Sequence, residues 1–371
     1  MESLSNKRMS GGNHLLAMEL DKMEIQQVLQ KVYNYTTSSK SGDWGMDIHQ
    51  WDWTPGVGII SVLHYFEMTG DAQALQFLES WVERNKDKAA QAKVINSMAP
   101  YAVFPELYRR TNNPYFLEEA VSIGDWMLHT APRTREGAFE HTVTEKASFP
   151  EQVWADTIFM AVLFLSRLAA LTGRKEYAQE ALAQTEIHFK LLQQPESGVL
   201  FHGWNCIEGN HMSSAKWTRA NAWVVIGLPM IVEELKNIID IPSDLMERYR
   251  ALVDGVLSYC GANGLWHTVM DQNSFYQETS GSAGIAAGIL HSVRTGMLDP
   301  SYTNRVVLTC KAVLGQIQDD GRVDGVSGGT PIMETIEAYN RIPIISALYG
   351  QGLTLILLSE MYNRKVPQIT S

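Results

Sequence analysis

Between Phe149 and Val162 the chain reads FPEQVWADTIFMAV, which sets Asp156 behind Trp154 at the mouth of an otherwise apolar helix. A carboxylate among so many apolar neighbours is costly unless it is hydrogen-bonded, paired or used. Two roles fit the position. Asp156 can cap the helix, accepting hydrogen bonds from the first backbone N–H groups. It can also act as a proton donor, because burial beside Trp154 and Phe159 raises the proton affinity of a carboxyl group. The positive end of the helix works against that rise by stabilising the carboxylate, and the sequence leaves the balance open.

Other residues able to bind or move protons recur at similar places: Trp51-Asp52-Trp53, Asn96, Glu140-His141, His202-Gly203-Trp204, Trp217-Thr218-Arg219, Trp266-His267 and Glu278-Thr279-Ser280. Tryptophan faces stack on flat ligands, sugars included, and a guanidinium pairs bidentately with a planar carboxylate. A rim of Trp, His, Arg and Asp therefore has the composition of a site for a sugar acid. Trp53, Trp154, Trp204 and Trp217 are candidate sugar platforms or lining residues. Arg219 either neutralises a uronate or packs on Trp217 or Trp223 through its ring face. Glu278 reads first as a helix cap, while Tyr339 and Tyr349 could close the rim.

These clusters sit where helices begin. Thr54 to Asn85, Asn96 to Thr130 and the stretch from Trp154 each pair an apolar helix with an amphipathic one across a short turn: Thr69-Gly70-Asp71, Thr111-Asn112-Asn113 and Thr172-Gly173-Arg174. Further units begin near Thr218, Thr279 and Tyr349. Helices apolar on every face belong inside, and amphipathic ones outside. Six such hairpins predict an all-α, (α/α)6 toroid, a single barrel over residues 1–371 with a flexible extension over 1–20. An open solenoid would show more regular repeats. FEHTVTE and GLWHTVMD read as short strands or extended loops near the central cleft.

Composition narrows the function. The chain has 371 residues, 10 Trp, 14 Tyr and a formal net charge of −11, and no Lys/Arg run of the kind that nucleic acid requires. Cys206, Cys260 and Cys310 are widely spaced, without a C-x-x-C pair, so neither a disulfide framework nor a cysteine metal site is expected. Neither a signal peptide nor a membrane-spanning run is apparent. A reducing, cytoplasmic setting without a membrane partner fits, and the oligomeric state is open.

VWADTIFMAV, LFHGWN, KWTRANAW, GLWHTVMDQNSFYQETSGSA and YGQGLTLILL follow one another in this order over most of the chain. Together they resemble the unsaturated rhamnogalacturonyl hydrolases of glycoside hydrolase family 105, relatives of the unsaturated glucuronyl hydrolases of family 88. The resemblance implies an (α/α)6 barrel acting on oligosaccharides whose non-reducing uronic acid, galacturonyl foremost, carries a C4=C5 double bond. It implies hydration of that enol ether, without a metal or organic cofactor, where an ordinary glycosidase uses two carboxylates at the anomeric carbon. Asp156 matches the family's catalytic aspartate, and His202 and, more weakly, His141 match residues that bind the uronate or position water. Asn96 stands where the family commonly carries a second aspartate; it can hydrogen-bond but cannot titrate. Two alternatives stay open from the residues: an N-acylglucosamine 2-epimerase-like isomerase with His202 and His267 as acid and base, and a carbohydrate-binding helical protein that tolerates Asp156→Asn.

Overall fold

The computed structural model describes residues 22–38, 40–145 and 149–363; the extension expected over residues 1–20 lies outside the described residues. In chain order the helices are α1 (Lys22–Thr37), α2 (Trp53–Thr69), α3 (Ala72–Asn85), α4 (Phe104–Thr111), α5 (Pro114–His129), α6 (Leu163–Thr172) and α7 (Lys175–Leu192). They continue with α8 (Thr218–Leu235), α9 (Ser243–Ser258), α10 (Thr279–Arg294), α11 (Tyr302–Leu314), the short α12 (Ile336–Tyr339) and α13 (Leu348–Tyr362). A 3₁₀ run, Ile95–Val103, leads into α4, and a π turn, Ile158–Val162, leads into α6.

The hairpin turns follow from local chemistry. Gly70 (φ 72°), Asn112 (φ 54°) and Gly173 (φ 68°) take the left-handed conformation that ends α2, α4 and α6, each donating its N–H back into the last turn. Asp71 and Asn113 then cap α3 and α5 through Gln73 N and Tyr115 N. The chain thus stops, reverses and restarts within three residues.

The inner ring runs α2, the Ile95–Val103 segment with α4, α6, α8, α10 and α13, and α13 packs back on α2. Apart from α4, which exposes Arg109 and Arg110, these helices are buried on nearly every face, as expected from their sequences. Small residues bring them close: a Cβ at Gly288 of α10 would fall 2.3 Å from Val225 O of α8. Five inner helices pack against the helix that follows them. The last unit differs from expectation, because the outer partner of α13 is α1, from the other end of the chain. Among the described residues no helix is long and apolar enough to cross a membrane.

Three antiparallel ribbons decorate one end of the ring: β1 (Gln152–Trp154) with β2 (Gly203–Asn205), β3 (Trp266–His267) with β4 (Gln277–Glu278), and β5 (Val326–Ser327) with β6 (Ile344–Ile345). GLWHTVMD contributes β3, whereas FEHTVTE is extended without forming a named strand.

Candidate active site

The inner helices present their N-terminal ends to one cavity of about 370 Å³. Its wall includes Trp53 at the start of α2, Asn96 in the 3₁₀ run, Asp156 ahead of the π turn, and Trp217 and Arg219 at the start of α8. His141 and Trp154 also line it, whereas His202 stands behind the wall rather than on it. A wider depression of about 1140 Å³ over α3 and the start of α5 is lined by none of them.

Strand pairing places the central carboxylate. β1 and β2 align Trp154 with Gly203, and Ala155 N–H donates to His202 O at 3.1 Å. Asp156 Oδ2 then lies 3.6 Å from His202 Nε2, too far for a hydrogen bond, and neither buried atom has a hydrogen-bond partner. The helix start is served by the Asp156 carbonyl, which accepts from Phe159 N and Met160 N. No cap bond is made by the Asp156 side chain, so of the two roles it could take, capping is not the one adopted. One π turn, closed by Leu163 N–H on Ile158 O, follows directly; such turns concentrate at functional sites.

His202 is oriented from behind. Its Nδ1 is 2.8 Å from Tyr339 Oη, and that hydroxyl also accepts Met333 N–H at 3.3 Å. An ionised Asp156 facing Nε2 favours the tautomer with the ring proton on that nitrogen, in which Nδ1 accepts from Tyr339 Oη–H. His141 stacks on Trp154 with ring centroids 3.8 Å apart and planes 8° apart, its Nδ1 unpartnered. Burial pushes His141 down to about 3, and burial also lowers His202 against the opposing pull of Asp156. For Asp156 burial acts to raise the pKa, but His202 and His141 outweigh it and hold the carboxyl below its ordinary range. At neutral pH Asp156 is the carboxylate of the trio and His141 a neutral imidazole.

Arg219 is fully buried, with its guanidinium 4.6 Å from the Trp217 ring and 4.4 Å from the Tyr349 ring. Nη1 bonds Ser327 Oγ (2.6 Å), Nη2 bonds Gly328 O (2.9 Å), and Glu278 Oε1 lies 3.5 Å away. Both terminal nitrogens are therefore taken by the protein, and the expected bidentate clamp on a uronate is not available. Only Nε is without a partner. Glu278 caps α10, accepting from Ser280 N and Gly281 N. Trp53 stacks on Tyr349 at 5.1 Å.

Contrary to expectation, Trp204 does not line the cavity but packs in a side cluster with Val153, Cys206 and residues of α7, 4.7 Å from His211. Asn96 caps nothing; its N–H donates to Thr142 O, and its Oδ1 is buried without a partner. His267 is occupied by Phe275 O through Nδ1 and is absent from the cavity wall, so the two-histidine arrangement of an epimerase is not assembled. Trp44, Glu145, Phe149 and Pro331 also line the cavity and were not foreseen. The tryptophan in GDWGMD, just ahead of Trp51, was the available signal for Trp44, which is 48 % exposed above Gly329.

A model of the family described as Glycosyl Hydrolase Family 88 matches residues 24–365. The unsaturated rhamnogalacturonyl hydrolase YesR of Bacillus subtilis is 34% identical over 321 residues, covering 85% of this chain and 90% of that protein. A solved structure from Salmonella enterica, described as a possible member of the GH105 family, superposes with a TM-score of 0.87 at 28% identity, covering 95% of this chain and 96% of its own. A second, from Klebsiella pneumoniae and described in the same words, gives 0.88 at 26% identity, covering 97% and 99%.

Proposed function

The chain belongs to glycosyl hydrolase family 88, and from that membership we propose that it removes a Δ4,5-unsaturated uronic acid, of the galacturonyl type, from the non-reducing end of lyase-generated oligosaccharides. The observation that carries this reading is the Asp156 carboxylate on the cavity wall, its Oδ2 buried and unpartnered beside His202 Nε2. Rhamnose as the leaving sugar draws on the likeness to the rhamnogalacturonyl hydrolase.

In this reading the substrate carboxylate settles at the positive ends of the inner helices, near the buried Arg219 cation. Its negative charge and the exclusion of water raise the proton affinity of Asp156, so one proton enters with the substrate. Asp156 delivers that proton to C4, and the positive charge that develops at C5 is shared with the ring oxygen. Water held by Asn96 adds to C5 and returns its proton to Asp156, restoring the acid. The hemiketal opens and releases the remaining sugar. His202 faces the carboxylate with Nε2 at 3.6 Å, close enough to hydrogen-bond it once the substrate is bound, and Trp53, Trp154 and Trp217 exclude solvent. The three widely separated cysteines, none in a disulfide, suit a reducing cytoplasm.

The test follows the ultraviolet absorbance of the enol ether with unsaturated galacturonyl-rhamnose and glucuronyl disaccharides, and the release of free sugar from these and from their saturated counterparts. Wild type is expected to consume only the unsaturated sugars, the galacturonyl one faster, and Asp156→Asn to lose about 10³-fold or more in kcat. Equal cleavage of saturated sugars, or an active Asp156→Asn, would overturn the reading.

A further inference from the structure

At the far end of the ring, about 16 Å along α2 from Trp53, the inner helices finish on a second cluster of ionisable side chains. His64 of α2, His291 of α10 and Glu360 of α13 are each at most 3 % exposed. Glu360 Oε1 stands 3.0 Å from His64 Nε2 and 2.9 Å from His291 Nδ1. Donor atoms sharing one tetrahedral ion, with bonds of about 2.0–2.1 Å, lie about 3.3 Å apart. The carboxylate oxygen already stands near that distance from both nitrogens, and all three atoms lie within 4.8 Å of one another.

Three further observations point to a cation. His64 Nε2, despite its 3.0 Å separation from the carboxylate, makes no hydrogen bond, so its nitrogen is not aimed at the oxygen as a donor. A carboxylate also stands near the other nitrogen of each imidazole, in reach of the second-shell role that metal-binding histidines use, although neither contact is hydrogen-bonded here: Glu233 Oε2 is 3.0 Å from His291 Nε2, and Glu67 Oε2 is 3.7 Å from His64 Nδ1. The negative ends of α2, α8, α10 and α13 meet here, beside a cavity of about 320 Å³ that Glu67, Glu233 and Glu234 line.

The present occupant is Arg294. Its Nε bonds Glu360 Oε2 at 2.9 Å, and its Nη2 is 3.1 Å from Glu360 Oε1 and 2.9 Å from His291 Nδ1. Arg294 keeps 29 % of its side chain exposed, so the guanidinium can swing outward. We propose that His64, His291 and Glu360 form a divalent-cation site, matched best to Zn²⁺ by its two imidazoles and one carboxylate, in which the ion displaces the Arg294 guanidinium and ties α2, α10 and α13 together. The site does not depend on the activity proposed above.

The experiment takes the full chain, freed of metal by a chelator, and measures Zn²⁺ by equilibrium dialysis with elemental analysis. One equivalent is expected in wild type and in Asp156→Asn, which separates this site from the cavity. His64→Gln and His291→Gln should weaken binding at least about tenfold, and Arg294→Gln should tighten it. Circular dichroism checks that each variant folds. Should the histidine variants not fold, the Co²⁺ form of the wild type decides: the intense visible bands of a tetrahedral ion support the site, and weak octahedral bands or none refute it. No stoichiometric Zn²⁺ in wild type, binding unchanged in both histidine variants, or binding by Arg294→Gln alone overturns the proposal.

Discussion

Asp156 shows how far one neighbour changes a side chain's chemistry. Burial alone would favour the protonated acid, yet His202, 3.6 Å away, and His141 reverse the direction and leave a carboxylate in the free site. A proton donor that starts ionised must gain its proton with the substrate. This separates two pH profiles. As pH rises through the neutral range, kcat/KM, which reports the free enzyme, should fall about tenfold per unit, whereas kcat should hold to a higher pH because the bound uronate raises Asp156. Initial rates from pH 5 to 9 check this, and coincident limbs would refute it. The carboxylate itself was legible in the sequence. Its charge state was not, since His202 comes from β2's approach and is oriented by Tyr339, far along the chain.

At the scale of elements, the reversals were readable because Gly70, Asn112 and Gly173 with their neighbouring caps are local chemistry. What α7 contributes was less visible: its buried His188 has Nδ1 2.7 Å from Gln184 O and is pushed down to about 4 by burial. Between that value and the ordinary 6.5 the unfolded chain binds a proton that the folded one refuses. The contribution is therefore complete above pH 6.5 and is lost as pH falls toward 4, by about 3 kcal/mol in all. Denaturant melts at pH 7 and 5 should show His188→Gln losing less stability on acidification than wild type, and an equal loss would remove this account.

The whole molecule is a ring, closed inside by α13 on α2, and α1 covers that seam from the outside. Ile25, Leu29, Val32 and Tyr33 are buried there, and Tyr33 stacks on Tyr65 of α2 with ring centroids 4.6 Å apart. Burial of four such side chains amounts to about 6–12 kcal/mol, comparable with the full stability of a typical domain. A chain lacking residues 1–37 should consequently show no cooperative thermal transition by circular dichroism. An unaltered melting temperature would mean that the α13–α2 seam holds without the cover of α1. Closure also points every inner helix the same way, which gathers positive ends around the cavity and negative ends around His64, His291 and Glu360.

By itself the sequence determined the helices, their inner or outer placement and the residues worth watching, because periodicity, capping and tryptophan placement are read within a few turns of chain. Only the tertiary structure decided that Arg219 spends both terminal nitrogens on Ser327 and Gly328, that Trp204 faces a side cluster and that Asp156 is ionised. Each of these depends on distances between residues remote in sequence. Electrostatic and hydrogen-bonding energies follow those distances, whereas residue order sets only which partners are available.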